Sequence, residues 1–299
     1  MSTVGPEDNN QPWQDEGVYT PPVPEFPSDA PSVSGRRSKQ GRWIAAVLAL
    51  SVAAAAGVSY VVTGPHSFAS LGAQLEASRD RWPTPHRGGT GRLAPAATAG
   101  PSRDYVISRT ENTLPVRYDP CDTIRYVIRP DNAPPGGEQM IHDAVAKTAS
   151  ATGLVFAYDG LTEESPSADR AKYQPERYGD RWAPLLISWT TPDETPAFTG
   201  DIAGFGGSSL IQSGQAPWIF VTGQVQVDGP LAQQLIGQGS AAQVQSLILH
   251  QMGHMVGLGH AEGTDELMYR ANDRTKAAFS EGDLAGLALL GNGPCVPEY

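Results

Sequence analysis

The stretch Leu249-His250-Gln251-Met252-Gly253-His254-Met255-Val256-Gly257-Leu258-Gly259-His260 carries three histidines whose spacing suits metal chemistry. On a helix, the i, i+4 relation of His250 and His254 sets both imidazoles on one face, one turn apart, where they can share an ion. Gly257 can leave such a helix through a left-handed turn that residues bearing a Cβ resist. The chain then doubles back and delivers His260 as a third nitrogen. Three protein ligands with one open position is the arrangement of catalytic zinc, whereas structural zinc is closed by four.

A histidine pair of this kind needs a helix with one buried side and a scaffold to bury it against. From Ala241 to Leu258, the residues Val244, Leu247, Ile248, Met252, Met255 and Val256 provide that side. Upstream, Thr123 to Arg129 alternates as a half-buried strand does, and Glu138 to Thr152 spaces Met140, Ile141, Ala144, Val145 and Thr148 as a core-facing helix that stops at Gly153. Leu154 to Tyr158 reads as a second strand. Leu185 to Trp189 reads as a third, a continuous apolar run fit for the middle of a sheet. Strand, helix, strand in so short a span predicts a parallel pair joined by a crossover helix. Gly204 to Ile211 and Trp218 to Asp228 supply the next sheet portion, and Glu163 to Tyr178 reads as an exposed insertion. His142 lies on the upstream helix and is assigned a structural role, while His66 and His86 are read as solvated.

The form His-x-x-x-His-x-x-Gly-x-x-His resembles the metzincin zinc peptidases and lacks only their second-position Glu, where Gln251 stands. Glu266-Leu267-Met268-Tyr269 is similar to the methionine-turn beneath the metal in those enzymes, and Phe279 to Gly291 to the closing helix of matrixin-type members. The resemblance is sharp from His250 onward, diffuse between about residue 115 and residue 240, and absent before residue 100. It implies an α+β fold: a twisted, mixed, five-stranded sheet with an active-site helix, a methionine-turn at Met268 and a C-terminal helix. It implies one Zn2+ on His250, His254 and His260, and a cleft bordered by the Gly204–Ile211 segment where extended peptide adds to the sheet edge. Read from its residues alone, that glycine-rich segment is equally a β-turn. Arg270 stands where the family usually has Pro.

The departure at Gln251 divides the functional expectation. A carboxamide can hydrogen-bond a water but has no accessible proton affinity near neutral pH, and a positioned general base contributes typically about 10² to 10⁴ in rate. One expectation is a zinc endopeptidase of weak or no activity acting on peptide or protein substrates. The other is a pseudoprotease that binds zinc and extended peptides. Glu262, Asp265 and Glu266 are read as loop surface residues and not as substitute bases.

The rest of the chain concerns location. A formal net charge of −11 over 299 residues, with no basic stripe in the C-terminal two thirds, argues against a nucleic-acid partner. Residues 1–42 form a Pro-rich acidic tail that ends in Arg36, Arg37, Lys39 and Arg42. Residues 43–62 carry no charge and are long enough for a signal-anchor helix to cross a bilayer core. The basic cluster keeps the N-terminus cytoplasmic, so the C-terminal domain is extracytoplasmic; a cleaved signal peptide is the competing reading. Residues 63–103 read as a stalk and residues 104–299 as the metallopeptidase-like domain. Outside the cell the two cysteines, Cys121 and Cys295, can form a disulfide tying the start of the domain to its end. Cys121, within Asp119-Pro120-Cys121-Asp122, is alternatively a thiolate directed at the metal.

Overall fold

A computed structural model describes residues 82–83, 91–198, 202–213, 215–272 and 276–296, together with the two-residue strand Trp13–Gln14. The expected signal-anchor at 43–62, the isolated His66 and His86 and most of the expected stalk lie outside these residues. No described helix is long and apolar enough to cross a membrane.

The centre is a five-stranded sheet of β1 (Thr123–Arg129), β2 (Val155–Leu161), β3 (Leu185–Thr190), β4 (Gly204–Ile211) and β5 (Ile219–Asp228). Its order is β2-β1-β3-β5-β4; the first four run parallel and β4 lies antiparallel on the edge. The apolar run of β3 is buried along its whole length, as a strand flanked on both edges and covered on both faces must be. The expected crossover is α1 (Gly137–Thr152), which joins parallel β1 and β2 and stops at Gly153, a left-handed residue at φ 69°. The mixed α+β architecture with five strands therefore matches the reading of the sequence.

Helices α3 (Gly229–Gly237), α4 (Ala241–Val256) and α5 (Glu281–Gly291) complete the layer, and α2 (Pro175–Tyr178) is a single turn. The periodicity gave no sign of α3. Its start is nonetheless local: Asp228 caps it by accepting a hydrogen bond from the Leu231 N–H, and a proline occupies its first turn. The side of α4 expected to face inward does so, with Val244, Ile248, Met252 and Met255 at zero exposure. Burial of each such side chain stabilises the fold by roughly 1.5 to 3 kcal/mol.

Two features depart from expectation. The 163–178 segment is not a loose insertion, since it buries a bidentate ion pair between Arg170 and Glu164 at 2.9 and 2.8 Å. Burial alone would raise the Glu164 carboxyl; Arg170, Tyr178 and Gln174 together bring it below its ordinary value. Gly204–Ile211 is the antiparallel edge strand, the sheet portion expected of it and not the alternative β-turn. Contacts to the domain also begin ahead of residue 104. The Arg92 guanidinium donates to the carbonyls of Gly291 and Gly153 at 2.6 and 3.2 Å, joining the ends of α5 and α1. Cys121 and Cys295 form the disulfide, so Cys121 is not a thiolate directed at the histidines.

Candidate metal centre

Helix α4 ends where the sequence places its end. Gly257 adopts the left-handed conformation at φ 116°, and its N–H bonds back to the carbonyls of Gly253 and His254. The chain then reverses, and Leu258–Gly259 leads directly to His260. His250, His254 and His260 converge, with one ring nitrogen of each lying within 4.8 Å of the other two. Ring centroids are 4.7, 5.5 and 4.7 Å apart around the triangle.

Two of the rings are oriented by backbone carbonyls. His250 Nδ1 lies 2.7 Å from the Leu267 carbonyl and His254 Nδ1 lies 2.9 Å from the Leu258 carbonyl. A carbonyl can only accept, so each Nδ1 carries the proton and each Nε2 presents its lone pair inward. His254 Nε2 and His260 Nε2 are 3.2 Å apart. Two zinc–nitrogen bonds at the tetrahedral angle set their nitrogens about 3.3 Å apart. The donor set therefore suits a zinc ion in chemistry, and the His254–His260 pair suits it in spacing.

Met268 packs against Gly253 of α4. A Cβ on Gly253 would come within 2.4 Å of the Met268 sulfur, so the absence of a side chain between His250 and His254 lets the turn pack against the helix axis. The turn is held by a reciprocal pair of carboxylates. Asp283, in the first turn of α5, accepts from the N–H groups of Leu267 (2.8 Å), Met268 (3.2 Å) and Ser280 (2.9 Å). Glu266 accepts from the N–H groups of Gly282 and Asp283 at 3.1 and 2.9 Å. Glu266 is thus buried and committed to α5, a correction to its reading as a surface residue; Glu262 and Asp265 are exposed as expected. The part played by Asp283 was missed, although Ser280-Glu281-Gly282-Asp283 has the form of a capping box and could have shown it.

Burial pushes the Asp283 carboxyl up to about 6, against the opposing pull of its three N–H donors and with a further push from Glu266. A raised value means the folded state holds a proton that the unfolded chain releases at lower pH. The group's stabilising contribution is present below its unfolded value near 4 and is lost as pH rises through about 6. The metal-free protein is therefore expected to lose stability between pH 4 and pH 6, and Asp283→Asn to flatten that part of the curve. Chemical denaturation at a series of pH values checks this, and identical curves for both proteins would contradict it.

Gln251 is buried on the α4 face that meets β4. Its carbonyl packs on Gly206 and its side-chain carbons on Gly204. One turn further along, the Ser208 hydroxyl donates to the Met255 carbonyl at 2.5 Å and contacts the Tyr118 phenol. His142 is far from this chemistry in function: its Nδ1 lies 2.8 Å from the Tyr126 hydroxyl and its ring packs edge-on against Tyr158, in keeping with a structural role. Comparison with models of known protein families matches none of them, and no curated protein matches the chain.

Proposed function

We propose that the chain is a membrane-anchored, extracytoplasmic zinc protein of the metzincin peptidase type, in which the peptide-hydrolysing step is slow because Gln251 occupies the position of the general base. The single observation that supports this best is the convergence of three imidazoles, two of them with Nδ1 committed to a backbone carbonyl. Zinc held there would polarise a peptide carbonyl and acidify water. The chain's own residues orient the ligands and exclude solvent from them. They supply no proton acceptor at position 251, since a carboxamide does not take up a proton near neutral pH.

The second reading, a pseudoprotease that binds zinc and extended peptide without cleaving it, is favoured by the commitment of nearby carboxylates elsewhere. Glu266 and Asp283 spend their oxygens on backbone N–H groups. Both readings share the metal. The full-length chain is expected to bind about one zinc, and His254→Ala to lose it, as measured by metal analysis after dialysis. A metal-free preparation that takes up no added zinc would refute both.

The anchored arrangement sets residues 1–42 across the bilayer from the domain, whereas the pairing of Trp13–Gln14 with Ala271–Asn272 requires both on one side. A two-residue ladder contributes on the order of 1 kcal/mol per hydrogen bond. Insertion of the uncharged 43–62 run into a bilayer outweighs it, and the proposal keeps the anchor.

A further inference from the structure

We propose that residues 104–108 are a positioning strap for the metal centre, holding the chain from Gly257 to Gly263 so that His254 and His260 are presented to the ion. The proposal rests on the zinc reading above and adds the part of the chain that controls it.

The strap is attached on both sides of His260. Ser108 gives two donors to the Gly257 carbonyl, from its N–H at 2.9 Å and its hydroxyl at 3.0 Å, at the left-handed turn where the chain reverses. Ile107 and Val106 pair antiparallel with Leu258 and Gly259. Beyond the histidine, the Gly263 N–H donates to the Asp104 carboxylate at 3.2 Å. The carbonyl of Leu258, the residue paired with Ile107, is the same one that sets the His254 tautomer. The strap therefore acts on two of the three ligands. His250 takes its orientation from Leu267 instead, a residue with no strap partner among these bonds.

The strap lies in a groove made by glycines. A Cβ on Gly263 would fall 1.8 Å from an Asp104 oxygen, one on Gly282 2.1 Å from the Asp104 carbonyl, one on Gly286 2.9 Å from the Tyr105 ring, and one on Gly259 3.0 Å from a Val106 methyl. Two of these glycines are in the ligand loop and two are one turn apart on α5, so both walls are shaped to receive this segment. The loop itself contains Gly257, Gly259 and Gly263, which leave it much backbone freedom when unheld. With the strap in place, the ordering of the loop occurs on folding and not on metal binding, which is how preorganisation raises affinity. Release of the chain ahead of residue 108 would loosen two ligands and leave the third in place.

The test uses the full-length chain with Ser108→Ala, Asp104→Ala and, as a control on the same incoming segment, Arg92→Ala. Zinc affinity is measured by chelator competition, ligand geometry by the visible spectrum of the cobalt(II)-loaded protein, and fold by thermal unfolding of the metal-free form. Each strap variant is expected to weaken zinc by about tenfold, the lower end of what outer-shell partners are worth, and to alter the cobalt spectrum. Arg92→Ala is expected to lower the melting temperature and leave both metal readouts as in the parent. Should Asp104→Ala fail to fold, Ser108→Ala, which removes one hydroxyl, decides the matter. Parental affinity and spectrum in the folded strap variants, or an equal loss in Arg92→Ala, overturns the strap alone. A parent chain that takes up no zinc overturns the functional reading and the strap with it.

Discussion

Gln251→Glu is expected to raise chelator-sensitive peptide hydrolysis by at least about tenfold, out of the roughly 10² to 10⁴ that a positioned base typically contributes. The exchange preserves volume and shape, which matters because Gln251 is only 1% exposed and its side chain already lies against Gly204. What changes is proton affinity. A carboxylate enclosed at this position has its pKa raised by desolvation, which moves it toward the range useful to a base at neutral pH. The measurement is cleavage of a fluorogenic peptide mixture by both proteins, with and without chelator, at matched zinc content. Equal rates would mean that another residue takes the proton, and the account of Gln251 would fall. A pseudoprotease made active by this one change would also show that its cleft still admits peptide in a reactive pose.

The other large effect is expected at Gly206, where a single added methyl should separate α4 from the sheet. Its Cβ would stand 2.1 Å from the Gln251 carbonyl oxygen and 2.8 Å from the carbonyl carbon. Both are helix backbone, so neither can turn aside as a side-chain tip would. Overpacking of this kind costs roughly 1 to 3 kcal/mol and sometimes more. That corresponds to a fall in melting temperature of about 2 to 12 °C for a domain of this size. Zinc affinity should fall with it, because His250 is the residue next to the displaced carbonyl. Gly237→Ala is the matched control: it is exposed at the end of α3 with nothing within 4 Å of the added methyl. Comparable melting temperatures for the two variants would show that the contact between α4 and β4 yields more easily than its geometry implies.

Much of the architecture was legible because it depends on neighbours in sequence. The i, i+4 pair of His250 and His254 needs only a helix, and the apolar side from Val244 to Val256 predicts one. Gly257 and Gly153 end their helices in the left-handed region, which residues without a Cβ enter at little cost. The unbroken apolar run of β3 marked it as the interior of the sheet, and the parallel relation of β1 and β2 followed from the helix between them. The disulfide was anticipated because two cysteines near the two ends of a domain expected to lie outside the cell have few other uses.

What only tertiary structure decided lies in pairings between residues far apart in the chain, on which local pattern carries no information. Glu266 reads as one more acidic residue of a loop until α5 turns its N-terminus toward it, and Arg170 and Glu164 read as an exposed charged insertion until β5 passes beneath them. Ser108 and Gly257 are 149 positions apart, yet they close the turn that carries His260. The histidine motif states which residues can hold an ion. Which nitrogen each ring offers is set by the carbonyls of Leu267 and Leu258, and a carbonyl's direction follows from the folded path of its backbone rather than from the identity of its side chain.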